Sequence, residues 1–169
     1  MSQTVYILVG LPGSGKSTLC EKRFPMLPRV SSDAIIEEWA KAANTTYNEI
    51  WKVAVKEAHQ LMYKEVDMLI ANKASFVWDQ TNLSKAKRAE IIAKIPEDYE
   101  IYIAWLDVPV ELCKMRNAKR DRSIPENVID DMAKRFEVPA LDEKVQRIWR
   151  FDENSDLIGE YILRHNERK

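Results

Sequence analysis

Residues 10–17 read Gly-Leu-Pro-Gly-Ser-Gly-Lys-Ser and hold three of the four glycines in a 169-residue chain. Average composition would supply about twelve glycines over this length. Glycine is needed where the backbone takes a positive φ or must approach another group without a Cβ, so its confinement to one octet marks a backbone-built site. Val5–Val9, just before it, is a β-branched and aromatic run that reads as a buried strand. Lys16–Phe24, just after it, reads as a helix, stopped by Pro25 and Pro28. The octet meets G-x-x-x-x-G-K-[ST] at Gly10, Gly15, Lys16 and Ser17, in the strand-to-helix setting that the pattern requires. Leu11, Pro12, Gly13 and Ser14 fill its free positions, and Thr18 follows. In such a loop, backbone N–H groups curl around phosphate oxygens and the helix N-terminus adds unsatisfied donors. Lys16 reaches the β- and γ-phosphates and the Ser17 hydroxyl ligates Mg²⁺. The expected cofactors are therefore ATP and Mg²⁺.

Beyond the octet, strands and helices alternate. Arg29–Ser31 reads as a second strand, Asp33–Ala43 as a helix, and Asn48–Asn72 as the longest helix. Ser75–Trp78 and Glu100–Leu106 read as strands, and Ser84–Ile95, Pro109–Asp121 and Pro125–Phe136 as helices. Lys144–Phe151 is a last strand weakened by its charges. This order predicts an α/β fold with a central parallel sheet and helices on both faces. One domain over 1–169 is expected, with a core of about 4–143 and a C-terminal segment of about 144–169. Gly10, Asp33, Asp79 and Asp107 all fall at carboxyl ends of strands, the edge where such sheets bind ligands.

Composition narrows the function classes. Lys plus Arg total 26 against 27 Asp plus Glu, a net charge of −1. A protein that coats nucleic acid is usually markedly basic, so only a local basic site fits. Cys20 and Cys113 form no metal or disulfide pattern and read as reduced thiols, with a cytoplasmic location expected. No apolar run reaches the roughly 18 residues of a membrane span, so no membrane partner is expected. The guanine-reading N-K-x-D signature is missing, since Asn72-Lys73-Ala74-Ser75 lacks its aspartate. A motor core needs more chain than this, which leaves a small phosphotransferase.

Four groups of side chains qualify for the chemistry. Asp33 is placed to accept the proton of an attacking hydroxyl and aim its lone pair at the γ-phosphorus; it is also placed to cap the following helix. Asp79-Gln80-Thr81-Asn82 suits either acceptor binding, through Asp79, Thr81 and Asn82, or a turn with Asx hydrogen bonds. Asp107 reads equally as a cap. Lys114, Arg116, Lys119, Arg120 and Arg122 crowd into nine residues beside one acid, as in a lid that brings arginines onto phosphates. The i, i+4 spacing lets Arg116 and Arg120 face the nucleotide together. Lys85, Lys87 and Arg88 form a second basic cluster, either solvated surface or, through Arg88, a grip on an anionic substrate. Trp78 and Trp105 read as core, His59 as structural. Trp39, Tyr47 and Trp51 suit either core packing or stacking of a base.

In order along the chain, Gly10–Thr18, Ser32-Asp33, Asp79-Gln80-Thr81-Asn82-Leu83, Arg116-Asn117-Ala118-Lys119-Arg120, Ile124-Pro125, Met132 and Phe136–Pro139 resemble the kinase domain of the 5′-hydroxyl polynucleotide kinases. The resemblance implies a P-loop kinase with an arginine-bearing lid that transfers the γ-phosphate of ATP to a 5′-OH end of DNA or RNA. By position it implies Lys16 and Ser17 on ATP and Mg²⁺, Asp33 as general base, Arg120 on the phosphates, and Asp79 on the acceptor side. Three departures stand against it. Ser31-Ser32 replaces the family's Asn-Arg before the aspartate. Ile36 stands where the phage branch has an arginine for the acceptor's phosphate. The companion phosphatase module is missing. The first alternative is a kinase for a nucleoside, nucleotide or other small metabolite. The second is a nucleotide-binding regulator with little transferase activity.

Overall fold

The computed structural model describes residues 2–164. Its strands are β1 (Gln3–Val9), β2 (Arg29–Val30), β3 (Phe76–Trp78), β4 (Tyr99–Leu106), β5 (Arg147–Phe151) and β6 (Leu157–Ile162). Its helices are α1 (Lys16–Arg23), α2 (Ser32–Ala42), α3 (Tyr47–Ala71), α4 (Lys85–Lys94), α5 (Val110–Ala118) and α6 (Glu126–Arg135). The sheet order is β2-β3-β1-β4-β5-β6, parallel except for the last pair.

The period-2 geometry of a strand divides each run between two faces. Val5, Ile7 and Val9 of β1, Ile101, Ile103 and Trp105 of β4, and Phe76 and Trp78 of β3 point to one face. There they meet Ile36 of α2, Ala58, Met62 and Val66 of α3, and Ile91 of α4. Leu8, Val77, Ala104 and Leu106 point the other way and meet Leu19 and Cys20 of α1 and Cys113 of α5. Both faces are covered, which is why these strands read as continuous apolar runs rather than as alternating ones. Each such aliphatic side chain contributes about 1.5–3 kcal/mol on full burial. Trp78 and Trp105 are core, as expected.

Two expectations about the chain's end are refined. β5 exists despite its charges, because Arg147 reaches Glu160 on β6 and Arg150 reaches Asp107 across the sheet's edge. β6 was not foreseen: it is an antiparallel edge strand whose apolar side chains, Leu157, Ile158, Tyr161 and Ile162, stay about half exposed. Asp107 is not a cap. Its Oδ2 accepts from Arg150 Nε and Nη2 at 2.8 and 2.5 Å, and Pro109 precedes α5 instead. Both cysteines are buried free thiols, and burial pushes Cys20 up to about 11. No helix among the described residues is long and apolar enough to cross a membrane.

Arg88 is also corrected. It is fully buried, not at an acceptor site. Its Nε donates to Glu143 Oε1 at 2.7 Å, Nη1 to the carbonyls of Asn82 and Leu83, and Nη2 to the carbonyl of Glu137. The guanidinium thus ties α4 to the loop after β3 and to the segment before β5. Removing one member of a buried ion pair leaves an uncompensated charge, at a cost of about 3–5 kcal/mol. Arg88→Met is therefore expected to lose stability on that scale, read as a lower midpoint in urea denaturation.

Candidate active site

The phosphate loop hangs between β1 and α1 at the carboxyl edge of the sheet. The Gly10 N–H donates to the Thr81 carbonyl at 3.1 Å, which joins the loop to the segment after β3. A Cβ on Gly10 would sit 2.6 Å from Ser14 Oγ. Gly13 has φ +83°, and a Cβ there would meet the Cys113 carbonyl oxygen of α5 at 2.3 Å. Gly15 has φ +98° and stands at the N-terminus of α1, where no side chain caps the helix. The N–H groups of the first turn of α1 therefore have no capping acceptor and point into the loop's cradle. Leu11, Pro12 and Ser14 are buried behind the loop, and Ser17 and Thr18 are exposed on the first turn. Ser14 Oγ is buried without a hydrogen-bond partner among the described residues. Lys16 Nζ folds back to donate to the carbonyls of Gly10 and Leu11, each at 3.1 Å. Burial pulls its ammonium below the usual lysine range, against the opposing fields of Asp79 and Asp33.

Asp33 lies in the first turn of α2, about half exposed. It does not cap the helix: Ser31 Oγ takes that part, accepting from the Ala34 N–H at 3.2 Å. Its carboxylate is engaged elsewhere. Oδ1 accepts from the Tyr47 hydroxyl at 2.6 Å, and Oδ2 lies 3.7 Å from Arg122 Nη1. Arg122 Nε also reaches Glu37 at 3.0 Å, and its guanidinium lies over the Tyr47 ring.

Arg122 comes from the segment between α5 and α6, numbers 119–125, which spans from the phosphate loop to α2. Its far end is held by buried Asn117, whose amide donates to the Ile124 carbonyl at 2.7 Å and whose carbonyl oxygen accepts the Ile124 N–H at 3.0 Å. Arg116 Nη1 reaches the Ser14 carbonyl at 3.5 Å, and Nη2 donates to the Glu153 carbonyl in the β5–β6 turn at 2.7 Å. Arg120 is half-buried near Arg122, Glu37 and Asp33, and burial with the neighbouring Arg122 lowers it from the usual arginine range.

The segment after β3 divides by role. Asp79 is buried, with Oδ2 3.2 Å from Arg29 Nε. Burial raises it from the usual carboxylate range while Lys16 and Arg29 pull it back. Thr81 serves the loop through its carbonyl. Asn82 is buried at φ +48°, with its amide donating to the Leu8 and Gln80 carbonyls so that it braces the end of β1, while its Oδ1 has no hydrogen-bond partner among the described residues. Gln80 links Trp78 to Ser32 of α2. Ile36 is fully buried in the core. Trp51 is not core but 46% exposed on α3.

The structure thus brings Lys16, Asp33, Asp79, Arg116 and Arg120 to one edge and withdraws Arg88 and Asn82. Sequence reasoning missed the Tyr47–Asp33 bond, the reach of Arg122, and the β5–β6 turn beside Arg116. Only the proximity of Tyr47 in sequence hinted at the first, and no local signal marks the others.

Residues 5–139 match the family described as an AAA domain, and the chain belongs to that family. The chain is 28% identical to an L-seryl-tRNA(Sec) kinase of Methanococcus maripaludis, over 96% of this chain and 66% of that protein. It thus spans just under two thirds of that relative's length. A sugar kinase of Janibacter sp. HTCC2649 has the same fold, at 19% identity and a TM-score of 0.62, over 92% of this chain and 88% of that one. A chain in the Pnkp1/Rnl/Hen1 complex also shares it, at 23% identity and a TM-score of 0.55, over 73% of this chain and 40% of that one. The α/β P-loop kinase fold expected from the motif order is the fold observed.

Gly13 offers a direct test of the cradle. Gly13→Ala adds a left-handed strain of roughly 1–3 kcal/mol, and its Cβ overlaps a backbone carbonyl that no side-chain rotation relieves. A fall in thermal midpoint, with loss of the protection that added ATP gives, is the expected result.

Proposed function

We propose that this chain is an ATP-dependent kinase that transfers the γ-phosphate to a hydroxyl of a compact acceptor: a nucleoside, a nucleotide or another small metabolite. The observation that carries the reading is the pairing of a complete phosphate loop with a half-exposed carboxylate that is not used as a helix cap. Asp33 is relieved of capping by Ser31 and held by Tyr47 on the edge that Lys16 occupies.

The loop residues fit the nucleotide. Gly10 and Gly13 let the loop backbone pack where a Cβ would collide with Ser14 and the Cys113 carbonyl, the uncapped first turn of α1 offers N–H groups, and Ser14 Oγ is an unspent buried polar atom. Gly10 to Thr18 would hold the phosphates, and the Ser17 hydroxyl would contact Mg²⁺. When bound, the ion screens charge on the β- and γ-phosphates. Lys16 already bonds oxygen atoms of the loop and is positioned to exchange them for phosphate oxygens. Arg116 and Arg120 add donors that act most strongly where water is excluded. In the transfer, the acceptor oxygen forms a bond to the γ-phosphorus and the bridging bond to the β-phosphate breaks. ADP leaves, and the hydroxyl proton passes to Asp33.

The compact acceptor is favoured by the groups around Asp33. Arg122 reaches both Glu37 and the Asp33 carboxylate, so the guanidinium nearest the base is paired with acids of α2 rather than free for a chain of phosphates. Two positions that the polynucleotide reading would use for anion binding are withdrawn: Arg88 is inside, and Ile36 is core. The relatives fit the same reading, since one is named for a sugar and another for a seryl group carried on tRNA. A 5′-OH end of DNA or RNA is the second reading. It is supported by the order of motifs from Gly10 to Pro139 and by the tRNA-borne acceptor in that relative's name. Asp79, Thr81 and Arg29 border the acceptor side in either case.

γ-labelled ATP offered with cytidine, CMP, a hexose, L-seryl-tRNA and a 5′-OH oligonucleotide separates the readings. Label on one of the first three is the expected result. Label on the oligonucleotide alone makes the second reading the correct one, and ATP binding without any transfer makes the chain a regulator. Asp33→Asn should abolish transfer while ATP affinity, measured by calorimetry, stays unchanged. Arg120→Ala should lower kcat by roughly 10³-fold, the scale of transition-state arginines; steady-state rates at saturating ATP measure it.

A further inference from the structure

We propose that Tyr47 is a positioning residue for phosphoryl transfer, holding the Asp33 carboxylate so that its second oxygen faces the acceptor hydroxyl. The proposal rests on the reading of Asp33 as base and adds to it a residue on a different helix.

Three observations carry it. The first is geometric. Asp33 leaves the helix surface with no capping bond to fix its rotamer, because Ser31 serves the Ala34 N–H. The hydrogen bond from the Tyr47 hydroxyl to Oδ1, at 2.6 Å, is the short contact that fixes it, while Oδ2 has only the longer approach of Arg122 at 3.7 Å. A carboxylate held through one oxygen presents the lone pairs of the other in a defined direction.

The second is the rigidity of the holder. Tyr47 is the first residue of α3, and its backbone is set by Thr46, whose hydroxyl accepts from the Glu49 N–H at 3.3 Å. Its ring packs against the main core. The start of α2 is fixed in turn by Gln80, which donates to Ser32 Oγ at 3.2 Å and accepts from Trp78 Nε1. Asp33 and Tyr47 are therefore presented by two braced helix starts, so the hydrogen bond transmits a fixed position.

The third is the contact with the arginine-bearing segment. The Arg122 guanidinium lies 5.1 Å from the centroid of the Tyr47 ring and bonds Glu37 at 3.0 Å. The same tyrosine thus receives the segment on its face and the base on its hydroxyl. Burial, and then the adjacent carboxylate, push the phenol far above the usual tyrosine range, so it stays protonated and remains a donor.

Positioning matters at this step because the transition state of phosphoryl transfer is loose and a small misplacement is costly; an ångström of displacement costs on the order of 10²-fold in rate. Tyr47→Phe removes the hydroxyl and keeps the ring for core packing and for Arg122. Turnover is to be measured with whichever acceptor in the panel above reacts fastest. If none exceeds water, release of inorganic phosphate from MgATP is the rate followed. The expected result is a fall in kcat of about 10²-fold, with MgATP affinity and melting temperature unchanged and no further fall when Tyr47→Phe is added to Asp33→Asn. A kcat within threefold of the parent, or a loss matched in MgATP affinity or melting temperature, overturns the proposal. Asp33→Asn measured alone keeps the two readings apart. If it turns over normally, the base assignment fails, and the proposal with it. If it is inactive while Tyr47→Phe is normal, only the positioning role fails.

Discussion

The backbone of Gly13 lies so near the Cys113 carbonyl of α5 that even a methyl group would overlap it. Much of the site depends on this approach. It seats α5 directly on the phosphate loop, and α5 then brings Arg116 to the Ser14 carbonyl one residue further on. Asn117, one step beyond, is buried by the same contact and clasps Ile124 from both sides of its amide. The segment that carries Arg120 and Arg122 is thus hung from the loop by backbone packing rather than by charge. Packing of this kind does not weaken with salt, as exposed ion pairs do.

The near-neutral composition takes on meaning at this edge of the sheet. Lys16, Arg29, Arg120 and Arg122 are gathered against Asp33, Glu37 and Asp79, so strong local fields coexist with a net charge of −1. Burial works against three of these charges: it lowers Lys16 and Arg120 and raises Asp79. A polyanion arriving at such a cluster relieves desolvated cations, which is a physical reason for triphosphate affinity without an overall basic surface.

Legibility followed the range of the interactions. The strands β1, β3 and β4 were readable because an apolar run needs no distant partner to declare itself, and the loop was readable because its glycines answer local backbone demands. Arg88 was misread because it sits among lysines in sequence, while the acid that buries it, Glu143, is 55 positions away. Asp33 had two local readings, and only the placement of Ser31 decided that capping belonged to another residue. Asn82 looked like a substrate ligand but serves the Leu8 carbonyl across the sheet. β6 pairs on one side only and keeps its apolar residues about half exposed, with Gly159 and Glu160 breaking the run, so it lacked the buried pattern that marks the inner strands. Tyr47 offered an aromatic ring at helix spacing; the use of its hydroxyl appears only when α2 and α3 fold back on each other.

That fold-back has a consequence for how such a chain diversifies. The phosphate loop and the arginines near it come from β1, α1, α5 and the segment after α5, whereas Asp33 and Tyr47 come from one helical hairpin, α2 and α3, between the neighbouring strands β2 and β3. The two parts share the main core, where Ile36, Ala58, Met62 and Val66 pack on β1, β3 and β4, and they meet at the site's edge through Arg122 to Glu37 and Asp33. The exposed side of α3, around Trp51 and Val53, takes no part in that packing, so substitutions there leave the core and the phosphate loop undisturbed. A chain built this way can vary that helix face by small steps, each passing through a folded ancestor.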